Sequence, residues 1–317
     1  MQIIGAGYYP PLVVHHADEE KLPDVLRVPG SQAVGATPSG TRSLTGTSSF
    51  APRRVSPVPR TDRASVNRAM HLAQDFTDSS MALLTHVPHP STYPKLNASQ
   101  HGLDALLDHW DPEGAHAALF DWIAFDHALP NDQLGVSVPR CARIGPAAFS
   151  RTLLPIAGLH PDGASSMQLS AAMTTLQVVV TAAHESTHVS QFDTYRYIDQ
   201  DTHRASFNEL KLEEQALLFN ACMAQMSTFE TLAYQSEVVN LLSFRSKQAA
   251  YLAAHPDEAV QFDALLETAQ NHREIHFSRL SPGRRTLLAE GRIDALLADI
   301  HAAVADHFIS DPVAPRY

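Results

Sequence analysis

The chain has little cysteine, few aromatic residues and no excess of basic charge. Its 317 residues include two cysteines, Cys141 and Cys222, which are too few for a disulfide framework and lack the spacing of a cysteine-based zinc site. Aromatic residues make up 7% of the chain, which argues against a surface for stacking single-stranded nucleic acid. The net charge of −11 disfavours binding to a phosphate backbone. We therefore expect no nucleic-acid partner.

Long apolar runs and signals for export are also missing. No run of 18 apolar residues occurs, so we expect no transmembrane helix and no membrane partner. The apolar N-terminus lacks a basic start and is interrupted by Pro10 and Pro11, which does not fit a standard secretory signal. The expected location is the cytoplasm, or outside the cell after export without a cleaved signal peptide, including export into a host cell.

Signatures of nucleophilic and nucleotide chemistry are absent as well. The chain contains no G-x-S-x-G elbow, and its Gly-rich stretch GATPSGTRS lacks the lysine and the following helix of a phosphate-binding loop. Neither cysteine has a histidine near it in sequence, so inert thiols are expected.

The composition divides the chain into two parts. Residues 31–65 are rich in Ser, Thr, Pro, Gly and Arg, and such a stretch buries too little apolar surface to offset the entropy of ordering it. We predict a flexible N-terminal tail over 1–65 and a helical domain over 66–317. The tail is either a leader without function or an export signal like those of bacterial effectors.

Apolar spacing predicts a mainly α fold with a small β component. A short strand is expected within 135–145, followed by a loop or a second strand within 149–163. The predicted helices cover 67–87, 99–110, 112–129, a long segment from Ser165 or Ser166 to 198, 207–244 as one helix or two, 247–255, 257–280 and 281–308.

What the chain does have is the stretch TAAHESTHVSQ, which begins at Thr181. Residues four apart lie on the same face of a helix, so His184 and His188 can direct both imidazoles at one point. Neutral imidazole nitrogens are good zinc ligands. Glu185 projects about 100° around the helix from His184, where it can reach a water molecule on the metal. This H-E-x-x-H pattern is typical of metallopeptidases, with two ligands and one general base.

A catalytic zinc usually has three protein ligands and a water. The metzincin pattern needs Gly at 191 and His or Asp at 194, where this chain has Gln191 and Thr194. The other solution takes a glutamate from a following helix. The stretch STFETLAYQSEV offers Glu230 and Glu237, seven residues apart on one face, with the small Ala233 between them to allow close helix packing. Either glutamate satisfies the spacing.

These segments resemble a known family. HESTH resembles the H-E-x-T-H helix of gluzincin, or thermolysin-like, zinc metallopeptidases. ETLAY is similar to their E-x-x-x-D third-ligand segment, and to an E-x-x-A-Y variant in some bacterial HExxH families. The resemblance covers about residues 176–240. It implies a zincin-like helical metallopeptidase core, with Zn²⁺ bound by His184, His188 and Glu230 and with Glu185 activating water for peptide hydrolysis.

The chain departs from the thermolysin-like pattern at one position. The Asp that supports a ligand histidine in those enzymes is Tyr234 here. Glu237 lies one turn further on and could take that orienting role, because ligating imidazoles usually donate their other N–H to a carboxylate or carbonyl. It could equally be the third ligand itself.

Further site residues are expected around the metal. A donor for the developing oxyanion is needed, and Tyr195 is assigned to this catalytic role because it lies on roughly the same helix face as the histidine pair. Other options are Tyr197, His203, Tyr234 and Arg245. Gln191 is expected to line the substrate cleft. A second pair four apart, His272 and His276 in HREIH, has no obvious acidic partner and is interpreted as structural.

The sequence therefore predicts a zinc-dependent peptidase that acts on a protein or peptide substrate. An alternative from another class is a non-catalytic helical interaction protein with a degenerate HExxH. A third hypothesis keeps the chemistry and makes the chain a secreted bacterial effector protease that cleaves a host protein. The sequence gives no prediction of oligomeric state.

Overall fold

A computed structural model describes residues 3–4, 86–112, 123–138, 141–153, 167–198 and 210–312 of the chain. Apart from Ile3–Ile4, the predicted tail at 1–65 lies outside the described residues, as does most of the helix predicted at 67–87. The predicted boundary between tail and domain is therefore not described.

The described part of the chain is mainly helical with small sheets, which confirms the predicted fold class. The helices are α1 (Gln100–Trp110), α2 (Ala171–Thr194), α3 (Leu212–Lys247), α4 (Ala249–Ala254), α5 (Pro256–Arg279), α6 (Pro282–Ala289) and α7 (Ile293–His301). The strands are β1 (Ile3–Ile4), β2 (Ile123–Phe125), β3 (Gly135–Val138), β4 (Cys141–Ile144), β5 (Thr152–Leu153), β6 (Met167–Gln168), β7 (Tyr197–Ile198) and β8 (Ile309–Ser310). None of the described helices is long and apolar enough to cross a bilayer.

The largest sheet has the strand order β1-β3-β4-β2. The strand predicted within 135–145 is in fact two antiparallel strands, β3 and β4, which pair from Val138 with Cys141 to Gly135 with Ile144. Strand β2 runs parallel to β4, and β1 pairs antiparallel with β3. Strands β5 and β6 form one further antiparallel pair, and β7 and β8 form another.

Two helix predictions at the sheet were wrong. In the helix predicted at 112–129, residues 113–122 lie outside the described part, and Ile123–Phe125 form strand β2 instead, because this short apolar run pairs with β4, a contact that periodicity alone does not reveal. The long helix begins at Ala171 and not at Ser165 or Ser166. Ser170 caps it by accepting a hydrogen bond from the backbone N–H of Met173 at 3.2 Å.

The C-terminal helices also differ from the prediction in one place. The region predicted as a single helix over 281–308 breaks into α6 and α7 at Gly291, whose φ of 66° lies in the left-handed region that ends many helices. In contrast, α3 is a single helix. For residues 207–244 the sequence left one helix or two as alternatives, and the structure has one.

Helices α2 and α3 run antiparallel through the molecule and join two apolar clusters. The N-terminal half of α2, the C-terminal half of α3 and the large sheet meet in the first cluster, which contains Leu176, Val179 and Leu241. The ends of the same helices that lie beyond the site meet α6 and α7 in the second cluster, which contains Phe192 and Leu218. A buried polar stretch of both helices lies between the clusters, with the HExxH motif at its centre.

Candidate metal centre

Helix α2 holds the HExxH motif in full burial. The relative exposure of His184, Glu185 and His188 is 3%, 2% and 1%. Among their polar neighbours, Thr181 and Thr187 donate their hydroxyls to backbone carbonyls four residues earlier, at 2.8 and 2.9 Å. The hydroxyls of these threonines are thus satisfied by the backbone of their own helix.

The structure brings three of the predicted ligands to one point. The Nε2 atoms of His184 and His188 are 3.1 Å apart. The carboxylate of Glu230 places Oε2 3.5 Å from the first of these nitrogens and Oε1 3.6 Å from the second. A tetrahedral zinc ion with ligand bonds of about 2.0–2.2 Å has ligand atoms about 3.3–3.6 Å apart. The two distances from Glu230, one to each of its oxygens, fall in this range, and the distance between the two histidine nitrogens is slightly shorter, so the three residues lie near the spacing of such a shell.

One atom of the cluster also lacks a protein partner. Glu230 Oε2 is buried and accepts no hydrogen bond, although such atoms in folded proteins nearly always have a partner. Two imidazoles and a carboxylate are a donor set suited to a first-row divalent metal. The residues present therefore fit a metal ion on both geometry and chemistry.

The outward-facing nitrogens of both imidazoles are held by further side chains. His188 Nδ1 lies 2.8 Å from Gln191 Oε1, and the amide nitrogen of Gln191 donates to the carbonyl of Phe229 at 3.1 Å. His184 Nδ1 lies 2.7 Å from Glu237 Oε1, which is ion-pair distance. Such contacts orient a ligand ring and fix which nitrogen faces the metal.

The same contacts separate the two alternatives for the third ligand. Glu230 lies at the Nε2 atoms of both histidines, whereas Glu237 lies at Nδ1 of His184 alone. Glu230 is therefore the residue positioned to bind a metal together with the pair, and Glu237 is positioned to orient His184.

The carboxylates around His184 favour a proton on its ring. Burial opposes a charged His184 ring, but the carboxylates of Glu230 and Glu237 outweigh burial and raise the pKa of His184 well above its ordinary value. Burial lowers the pKa of His188 to about 4, so this ring is neutral. The imidazolium of His184 can thus donate to His188 across the 3.1 Å gap. A metal ion entering there must displace this proton.

Glu230 is fully ionised in this arrangement. Burial alone would raise the pKa of its carboxyl, but the charge interaction with His188 and the contacts with His184 lower that pKa to about 2. The carboxylate therefore carries its negative charge at neutral pH, as a metal ligand requires.

Glu185 faces the sheet and has a different environment. Burial raises the pKa of its carboxyl to about 7, against the lowering effects of His184 and of a hydrogen bond from the Ser137 hydroxyl on β3. A carboxylate with a pKa near neutrality is suited to accept and return a proton under ordinary conditions.

A second histidine pair lies behind the first. The ring of Tyr234 meets His184 edge-on at 4.5 Å between centroids and stacks on His272 at 4.9 Å and on His276 at 5.8 Å. Burial is the main cause that lowers the pKa of both α5 histidines to about 4. The pair interpreted as structural thus lies one aromatic ring away from His184 of the candidate metal site.

The candidates for oxyanion stabilisation lie in several places. Tyr195 caps the end of α2, contacts Phe229 and lines a cavity of about 710 Å³ against α7. Burial and the nearby Asp294 raise the pKa of Tyr195. Its catalytic role stays a prediction. Of the other candidates, Tyr197 is buried in β7, Tyr234 lies at the metal cluster, Arg245 pairs with Asp263 at the surface, and His203 lies outside the described residues.

The contacts of β3 with Glu185 were missed at the sequence level. Ser137 and Gly135 both touch the glutamate, although 48 residues separate Ser137 from it. One sequence feature is consistent with this contact. Gly135 is the first residue of the predicted strand, and a glycine in a strand often marks the close approach of another group.

The arrangement offers a buried His-His-Glu set that could hold a metal ion, with a glutamate of nearly neutral pKa beside it. Comparison of the chain with models of known families, with curated proteins and with solved structures gave no match.

Proposed function

We propose that the protein is a zinc-dependent hydrolase of the HExxH type that cleaves peptide bonds. One observation carries the proposal. One side-chain ligand atom from each of His184, His188 and Glu230 lies within 4.8 Å of the other two, and Glu185 directly follows His184 in the helix. The resemblance of HESTH and ETLAY to the gluzincin segments supports the peptidase class.

Zinc is the metal that we assign. Two neutral imidazoles and one carboxylate are the ligand set of well-known catalytic zinc sites, which leave the fourth position for water. Zinc bound there would polarise the scissile carbonyl and lower the pKa of a water to about 7. The orienting contacts of Gln191 and Glu237 keep both rings in the geometry that such binding needs.

Glu185 performs the proton transfers in this proposal. Its carboxylate accepts a proton from the attacking water and then passes it to the leaving amine. The position of Glu185 directly after the proposed ligand His184, with its side chain buried, supports this role.

A second candidate function is supported by the burial of the site. Structural metal sites have no coordination position open to solvent. The side chains of His184, His188 and Glu230 are between 1% and 4% exposed, which fits such a site. The alternative is therefore a non-catalytic helical protein in which the metal only joins α2 to α3.

One set of measurements tests the proposal against this alternative. Metal content is measured by mass spectrometry on the purified full chain, and cleavage of a mixed peptide library is followed with zinc, with a chelator and after re-addition of zinc. We expect one zinc per chain and cleavage that follows zinc. Glu185→Gln should keep the zinc and lower turnover by about 10²–10⁴-fold, the usual share of a general base.

Each outcome separates the candidates. If the chain binds zinc but cleaves no peptide of the library, the peptidase proposal is overturned and the structural metal site is favoured. Normal turnover by Glu185→Gln would show that another group is the base. A chain that takes up no metal would remove both candidates.

A further inference from the structure

Strand β3 contacts the proposed general base at two positions. The hydroxyl of Ser137 donates to Oε2 of Glu185 and also lies 2.9 Å from the backbone carbonyl oxygen of the same residue. Ser137 is 0% exposed, so water does not compete for this hydroxyl. The hydroxyl thus lies against both the carboxylate and the backbone carbonyl of Glu185, and its single proton can hold the carboxylate close to the helix.

Gly135 supplies the second contact by having no side chain. A Cβ atom at this position would lie 2.7 Å from both Cγ and Oε1 of Glu185, and 3.0 Å from Cδ. These distances are far inside van der Waals contact, so any larger residue would push the carboxylate away. Glycine is required here for the close approach of the glutamate.

The register of β3 explains why both residues meet one side chain. Residues two apart in a strand point to the same face. The pairing of Gly135 with Ile144 and of Ser137 with Ala142 fixes β3 against β4, and both strands pack on α2. On the face of β3 that meets α2, Gly135 leaves a space and Ser137 presents its hydroxyl. Both residues lie against the side chain of Glu185.

We propose that β3 is a clamp for the general base, in which Ser137 holds Oε2 of Glu185 and Gly135 leaves room for Oε1. Ser137 and Gly135 are positioning residues in this proposal, since they act through Glu185. The proposal rests on the proposed hydrolytic function. It adds a source of catalytic rigidity that lies outside the HExxH helix and its third-ligand helix.

The clamp has a measurable consequence. A misplacement of a catalytic group by about 1 Å can cost on the order of 100-fold in rate. Because the contacts of Ser137 and Gly135 described above are with Glu185, loss of the clamp should lower kcat and leave both zinc content and KM nearly unchanged.

The experiment compares four variants of the full chain with the wild type. Ser137→Ala removes the hydroxyl, Ser137→Cys keeps its volume with a weaker donor, and Gly135→Ala adds the forbidden Cβ. Ser186→Ala is the matched control, because Ser186 is 2% exposed, lies next to Glu185 in sequence and has a hydroxyl without a hydrogen-bond partner. Zinc content, kcat and KM are measured for each, and crystal structures locate the Glu185 carboxylate in the metal-free proteins.

We expect kcat to fall about 10–100-fold for Ser137→Ala and Gly135→Ala, with KM within about twofold of wild type and a full equivalent of zinc. Ser137→Cys should lie between Ser137→Ala and wild type. The carboxylate of Glu185 should be displaced in the first two variants and unmoved in Ser186→Ala. If Ser137→Ala does not fold, Ser137→Cys and Gly135→Ala provide the same comparison.

The results distinguish the clamp from the function on which it rests. An active wild type together with unchanged kcat, or an unmoved Glu185, in the Ser137 and Gly135 variants would overturn the clamp alone. Equal losses in Ser186→Ala would also overturn it, since the effect would then come from any change near the motif. A wild type that holds zinc and cleaves nothing would overturn the proposed function, and the catalytic role of the clamp with it.

Discussion

Two histidine pairs with the same spacing lie on either side of one tyrosine ring, and among the described residues only the first pair belongs to a group that could hold a metal ion. His184 and His188 on α2 and His272 and His276 on α5 are each four residues apart on helices that pack against α3. Burial is the largest influence on the pKa of all four rings. Spacing and burial therefore do not distinguish a metal site from a structural pair.

The difference lies in what α3 presents to each pair. Glu230 and Glu237 place carboxylates at both nitrogens of His184, and Glu230 also reaches His188. The α5 pair instead meets the flat ring of Tyr234, and Arg279 approaches His276 Nδ1 to 3.4 Å. Charged partners thus decide which pair is able to bind a cation, because buried charge must be compensated by opposite charge.

The largest expected effect comes from removing the carboxylate that faces the first pair. Glu230→Ala leaves two imidazoles without a third ligand, so zinc affinity should fall by more than about 100-fold, beyond the usual effect of an orienting residue. Competition with a chromophoric chelator measures the affinity. His276→Ala, which removes a buried ring of the second pair, should change it by less than about tenfold.

The outcome can also reverse the assignment. A full equivalent of zinc in Glu230→Ala would identify Glu237 as the ligand. Equal losses in Glu230→Ala and His276→Ala would mean that both histidine pairs take part in binding.

A smaller effect is expected from the contacts that orient the rings. Glu237→Ala and Gln191→Ala each remove the partner of one Nδ1 atom and should weaken zinc binding about 10–100-fold without abolishing it. Ser236→Ala serves as the control, since its buried hydroxyl has no hydrogen-bond partner and it adjoins Glu237. Unchanged affinity in both orienting variants would show that packing alone fixes the rings.

The metal cluster could be predicted from the sequence because its information is local. The i, i+4 spacing places two rings on one helix face, and Ala233, which is 0% exposed, allowed the expectation that α3 approaches closely enough for a glutamate to reach them. The choice between Glu230 and Glu237 needed the structure, since both lie on the same face of α3 and only the relative shift of the helices separates them.

The clamp and β2 could not be predicted because they depend on contacts between distant segments. Ser137 meets Glu185 only once β3 packs on α2, and Ile123–Phe125 forms a strand only because β4 lies beside it. The contact of β3 with one turn of α2 does not change the spacing of apolar residues in either segment, so the sequence pattern does not reveal it. Local propensity is overridden there by tertiary pairing.

The smallest expected effect concerns the pH dependence of stability and probes the second pair. Burial is the first cause that lowers the pKa of His272 to about 4, with smaller lowering by His184 and Arg279 and an opposing effect of Glu230. In the unfolded chain a histidine has a pKa of about 6.5. Between these values the unfolded state binds more protons, so this residue costs no stability above pH 6.5 and a growing amount as the pH falls towards 4.

Replacing this ring by one that does not titrate should remove the cost. His272→Phe keeps a ring to stack on Tyr234, so metal-free variant and wild type should unfold with similar free energies at pH 7.5. Between pH 7.5 and pH 5 the free energy of unfolding should fall by about 2 kcal/mol less in the variant than in the wild type. This value follows from a histidine pKa of about 6.5 in the unfolded chain and about 4 in the folded one. Urea unfolding in the presence of a chelator at the two pH values measures the difference. An equal loss in both proteins would mean that His272 takes up its proton in the folded state, and that the second pair is able to carry charge as the first pair does.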